Sequence, residues 1–172
     1  MFKLIGALLL LAGTGGYACC LCREMRMRLR QLYEMKRMYE LFRSQIGYSL
    51  AAFPELCRMT EIHMENPFSK LLHAVYEEAE KNTGKSFPQI WREQVERHFV
   101  EFGMKKEDKV LLTEFSRSLG YADRALMEQE MDNRIGALLL VIQKMEAHMA
   151  EREKMIMSLG ILGGLMVVIL LL

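Results

Sequence analysis

Apolar positions step by threes and fours through most of this chain, the spacing of one face of an α-helix. Met25, Leu29, Leu32, Met35, Tyr39, Phe42, Ile46, Leu50 and Phe53 form one stripe, enough for a helix of about eight turns. Met127, Met131, Ile135, Leu138, Ile142, Met145 and Met149 form a second stripe near the other end. Between them, prolines and glycines punctuate four shorter helices, expected near 54–64, 67–82, 87–101 and 105–119. Phe53-Pro54 and Asn66-Pro67 place proline where a helix starts, the second with Asn66 as its cap. Ser86-Phe-Pro-Gln89 has the spacing of a capping box, and Gly84, Gly103 and Gly120 each follow a helical stretch as terminators do. No alternating strand pattern interrupts this series. The expected fold class is all-α, a bundle of about six helices in which the first and last long helices lie side by side.

The two ends break the amphipathic rule. From Met155 to Leu172 the chain runs 18 residues without a charged side chain; as a helix it reaches roughly 27 Å, close to the ~30 Å apolar core of a bilayer. Phe2 to Cys22 is apolar apart from Lys3 and Thr14. The expected organisation is therefore a transmembrane helix over 1–22, a helical domain over 23–155 and a second transmembrane helix over 156–172. A cleaved signal peptide is the competing reading of the first segment, because Ala12-Gly-Thr-Gly-Gly-Tyr-Ala18 offers small residues to a peptidase. The basic flank Arg23, Arg26, Arg28 and Arg30 favours an uncleaved anchor with that flank cytoplasmic. Both termini then lie outside, with the helical domain in the cytoplasm. Gly160, Gly163 and Gly164 sit close together in the last segment, where they would let a second helix, such as the glycine-bearing first one, approach closely.

Charge sharpens the division. All 22 acidic and 22 of the 23 basic residues lie between Arg23 and Lys154, and the net charge of the whole chain is +1. A neutral, mixed surface argues against nucleic acid as a partner. Three of the four cysteines cluster at Cys19, Cys20 and Cys22, which is no disulfide framework; Cys57 reads as a small buried residue. The 15 methionines fall mainly on the apolar stripes and read as core filler, an adaptable partner groove being the alternative. Ile135-Gly-Ala-Leu-Leu-Leu-Val-Ile142 is apolar nearly all round. It is expected to be the most deeply buried part of its helix, or a docking surface if one side is exposed.

One stretch imitates catalytic chemistry. Ala79-Glu-Lys-Asn-Thr-Gly-Lys-Ser86 fits a relaxed nucleotide-loop pattern, but such a loop needs a strand before it and a helix after it. Helical spacing from Phe68 to Ala79 supplies no strand, so a Gly-Lys-Ser turn between helices is the reading, without a nucleotide. His63, His73, His98 and His148 are dispersed, so no metal site is expected. Trp91 falls on an apolar face with Val95 and reads as core. No cofactor and no enzymatic activity are expected.

Three stretches resemble the stage III sporulation protein AB family: Ser158-Leu-Gly-Ile-Leu-Gly-Gly164 near the end, Lys3-Leu-Ile-Gly6 at the start, and Leu111-Leu-Thr-Glu-Phe-Ser-Arg-Ser-Leu-Gly-Tyr-Ala-Asp123 with Gln129 downstream. The resemblance covers the chain in order, and its terminal motif is the specific part; Ala122 departs from an expected polar cap. It implies a part in the channel complex between mother cell and forespore, with a helical domain similar to that of type II secretion F-type platform proteins. It further implies a secretion-type ATPase, similar to stage III sporulation protein AA, as partner, besides other membrane components of the complex. Leu119, Gly120, Asp123 and Gln129 are the contact candidates carried by the motif. A scaffold that only forms homo-oligomers is the alternative function.

Overall fold

A computed structural model of the chain describes residues 2–48, 52–118 and 124–171. Six α-helices follow one another: α1 Phe2–Tyr48, α2 Phe53–Glu61, α3 Phe68–Glu80, α4 Phe87–His98, α5 Lys106–Ser118 and α6 Arg124–Leu171, with a 3-10 turn over Phe99–Phe102 between α4 and α5. The fold is an all-α bundle of six helices, as the periodicity predicts. Two compact units divide it, one of residues 30–142 and one of residues 1–29 with 143–172.

Local chemistry sets the helix starts. Pro54 lies in the first turn of α2, where its missing N–H costs nothing. Ser86 and Gln89 form the capping box of α4, the Ser86 N–H donating to Gln89 Oε1 at 2.9 Å. Asp108 reaches back from the first turn of α5 to accept the Lys105 N–H at 3.1 Å, which explains a carboxylate only 1 % exposed. Gly103 ends the 3-10 turn at φ 60°, a left-handed backbone that glycine adopts without strain. Two expectations shift slightly. The stripe does not run through to Phe53 as one helix, because Ala52 is extended and Phe53 opens α2; Leu50 lies outside the described residues. Pro67, not Asn66, is the cap of α3.

The core of the 30–142 unit is aromatic at its centre. Phe115 of α5 stacks on Tyr39 of α1 with centroids 4.6 Å apart and planes 8° apart. It meets Phe42 edge-on at 5.0 Å and Trp91 of α4 at 4.9 Å. Leu32, Met35 and Met38 from α1, Leu71, Leu72 and Val75 from α3, and Met131, Leu138 and Ile142 from α6 are all fully buried around it. Phe68 and Phe102 pack edge-on at 4.7 Å at a second corner. Cys57 is fully buried as well, and burial pushes its thiol pKa well up.

The expectation of two flanking transmembrane helices is corrected here. Among the described residues no helix is long and apolar enough to cross a membrane. Segments 1–22 and 156–172 are not separate elements but the outer parts of α1 and α6, helices of 47 and 48 residues that carry charge along much of their length. The expectation rested on apolar side chains at the two ends, many of which lie outside the described residues. The two-pass topology with both termini outside and a cytoplasmic domain falls with it.

Candidate functional site

Helix α5 carries most of the conspicuous sequence motif, Leu111 to Ser118, and the bundle grips it from two sides. The Tyr39 hydroxyl of α1 donates to the Leu111 carbonyl at 2.9 Å, and the Trp91 indole N–H of α4 donates to the Leu112 carbonyl at 2.8 Å. Two consecutive helical carbonyls thus each accept a bond from another helix. Trp91 is fully buried, so its N–H needs such a partner. Burial also raises the Tyr39 phenol pKa far above its ordinary value, the nearby Arg134 opposing the shift and Glu114 adding to it. Tyr39 is therefore a neutral donor at any physiological pH.

Beside this bond lies a half-open cavity of about 240 Å³ between α1, α5 and α6. Leu111, Ala137 and Leu138 give it apolar walls, and Glu130, Asn133 and Arg134 give it a polar side. Arg134 reaches Glu114 at 3.4 Å and Glu130 at 3.1 Å, while Arg117 reaches Glu114 at 3.4 Å. Two guanidinium groups and two carboxylates leave the rim formally neutral. Such a rim offers hydrogen bonds and shape, with no net charge to draw in an anion or a metal. The spacing marks Tyr39 and Leu138 only as stripe residues, and nothing in it marks Arg134.

The Gly-Lys-Ser turn is structural. Asn82 has φ 48° and Gly84 φ 77°, so the chain reverses between α3 and α4. Lys85 Nζ sits 2.6 Å from Glu93 and 3.8 Å from Glu78. A lysine held by two carboxylates faces an unfavourable exchange for a phosphate, and helix α3 stands where a nucleotide loop needs a strand. Among the described residues no group of three or more His, Cys, Asp or Glu side chains could hold a metal ion. His73 lies between Glu61 at 3.2 Å and Glu77 at 3.4 Å, and His98 is 3.3 Å from Glu101, ion-pair positions on the surface.

The motif candidates fall partly among the described residues and partly outside them. Leu119, Gly120 and Asp123 lie outside the described residues. Gln129 is exposed on α6. Gly160, Gly163 and Gly164 lie in α6; a Cβ at Gly163 would meet nothing within 4 Å, and the surroundings of the other two are outside the described set. Gly13, Gly15 and Gly16 of α1 likewise open onto empty space. Ile135–Ile142 is not buried throughout: Leu138 and Ile142 are fully buried, whereas Leu140 is 68 % exposed. The segment has an inner and an outer side.

Comparison with known proteins gives one consistent answer. The family model described as stage III sporulation protein AB (spore_III_AB) matches residues 3–172. The stage III sporulation protein AB of Bacillus subtilis (strain 168) is 24 % identical over 171 residues, covering 99 % of each chain. A solved structure titled stage III sporulation protein AB (SpoIIIAB) superposes with a TM-score of 0.65 at 18 % identity, covering 72 % of this chain and 96 % of that one. At that identity the superposition speaks for the fold alone.

Proposed function

Because the chain belongs to the stage III sporulation protein AB family, and so has a non-catalytic role associated with sporulation, we propose that its helical bundle binds a separate secretion-type ATPase and links it to the other components of a complex between mother cell and forespore. The family match along nearly the whole chain carries this reading. The likeness of the family's helical domain to type II secretion F-type platform proteins supplies the kind of ATPase. The chain's own chemistry is consistent with the division of labour: Lys85, the one residue that could have served a phosphate in a nucleotide-like pattern, is held by Glu78 and Glu93.

The proposed contact is the junction between α5 and α6, through Leu119, Gly120 and Asp123, with the exposed Gln129 downstream on α6. The helix leading into that junction is the one gripped through Leu111 and Leu112, which would give a partner a firmly held surface to push against. Co-purification of the full-length chain with the stage III sporulation protein AA-like ATPase of the same organism tests the reading. Capture that weakens at least tenfold in Gly120→Arg, with an unchanged helical circular dichroism spectrum, is the expected result. No capture of the ATPase by the unaltered chain would overturn it.

A further inference from the structure

The helices of the 30–142 unit are held unequally. Between Leu32 and Ile46, α1 buries Leu32, Met35, Met38, Tyr39, Phe42 and Ile46. Over residues 125–142, a longer stretch, α6 buries only Met131, Leu138 and Ile142. Ion pairs near water add to its hold on α1 and α5. Arg43 of α1 donates through Nη2 to Asp132 at 2.8 Å, with Nε also on that carboxylate, and Arg134 reaches Glu114 of α5 at 3.4 Å. The Arg43 and Asp132 side chains are each about half exposed, and a pair so placed adds little to stability. The half-open cavity lies under the same stretch, with Ala137 and Leu138 on one side and Tyr39 and Leu111 on the other. Part of the α6 interface thus lacks the dispersion contacts of a filled core.

Helix α6 is also weak from within at that level. Gly136 stands in mid-helix, where glycine is disfavoured against alanine, yet a Cβ there would meet nothing within 4 Å. Packing does not require a glycine at this position; what it adds is ease of unwinding. The rest of the unit, by contrast, is tied together without α6. Phe115 meets Tyr39, Phe42 and Trp91, and the Tyr39 and Trp91 donors reach Leu111 and Leu112. These contacts join α1, α4 and α5, and none of them uses a residue of α6.

We propose that residues 125–142 of α6 form a strap that opens from the bundle while α1 to α5 remain folded, with Gly136 as the point where its helix unwinds first. A segment with few buried apolar contacts and solvent-screened polar ones belongs to the low-stability end of a fold. Opening bares Tyr39 and Leu111 and turns the half-open cavity into a groove along α1 and α5. The strap thus governs access to that face of the bundle. This goes beyond the ATPase-binding reading and does not depend on it.

Hydrogen–deuterium exchange of the full-length chain, read by mass spectrometry where exchange follows the opening equilibrium, tests the strap. Relative to unfolded-chain rates, amides of residues 128–141 should exchange about tenfold faster or more than those of residues 35–42 in α1 and 110–116 in α5. Gly136→Ala should slow the α6 amides about fivefold. Val75→Ala truncates a fully buried side chain of α3 and should speed exchange in α1 and α5 about tenfold. It should leave residues 128–141 unchanged, because the strap opens without breaking the core around α3. Equal protection in the three helices, α6 exchange indifferent to Gly136→Ala, or α6 exchange speeded by Val75→Ala as much as that of α1 and α5 would each overturn the proposal.

Discussion

The two long helices carry similar apolar stripes in sequence and put them to different use. Along Leu32, Met35, Met38, Tyr39 and Phe42, every residue of α1 is at most 1 % exposed. Among the described side chains of α6 only Met131, Leu138 and Ile142 reach that depth, while Leu126, Leu139 and Leu140 stay at least 36 % exposed. The difference lies in what faces each helix. The stripe of α1 carries Tyr39 and Phe42 into the Phe115 cluster, and large rings remove much surface from water per residue. The corresponding level of α6 carries Ala137, too small to fill space, beside the half-open cavity. A period of 3.6 says that a helix has a face; the size of the side chains on it decides whether the face becomes core.

The sharpest way to break this contrast is to truncate one residue on each side of it. Phe115→Ala should cost about 3–5 kcal/mol, since it removes the ring on which Tyr39, Phe42 and Trp91 converge. Leu140→Ala should stay within ~0.5 kcal/mol. Urea unfolding at dilute protein concentration checks both. Comparable losses would show that the outer face of α6 is core after all.

A smaller effect is expected from Tyr39→Phe. It keeps the stack on Phe115 and removes only the hydroxyl bonded to Leu111, so a loss of about 1 kcal/mol should follow. The Leu111 carbonyl keeps its helical partner, which holds the cost at the level of one neutral hydrogen bond. Thermal unfolding of the two proteins side by side reads it.

The smallest effect belongs to the charged faces. Glu101 is held below the ordinary carboxylate value of 4.5 by its bond to Lys70 and, after that, by His98. Glu78 is lowered by Lys81 and Glu55 by Arg58. A carboxyl whose folded pKa is depressed adds stability above its unfolded pKa and loses it as pH falls through the folded value. Stability should therefore be steady near neutrality and decline once the pH passes below 4.5, with part of the decline absent in Lys70→Ala. All three carboxylates are near water, so salt should shrink the effect further.

Periodicity, proline and glycine made the number and order of helices legible, because those signals are local. The Ser86–Gln89 capping box and the glycine at Gly103 appear where the chain announces them. The bond from Tyr39 to Leu111 was not legible, since it joins residues 72 positions apart and depends on which helices become neighbours. Nor was the division within Ile135–Ile142. A segment apolar on all sides gives periodicity nothing to orient, so the buried Leu138 and Ile142 and the exposed Leu140 are not told apart by spacing. The two ends show the same limit of composition: their apolar runs suggest separate membrane-crossing elements, whereas they belong to α1 and α6. The Gly-Lys-Ser turn was read correctly because the helical spacing before it contradicted the loop it imitates.

The paired carbonyls of α5 have a consequence for how this protein comes apart. Leu111 and Leu112 each hold a helical N–H and a side chain from a different helix. Unwinding that turn therefore releases α1 and α4 together, and losing either neighbour loosens the turn. The middle of helix α5 is thereby tied to α1 and α4, and opening it costs those two bonds in addition to its own helical ones.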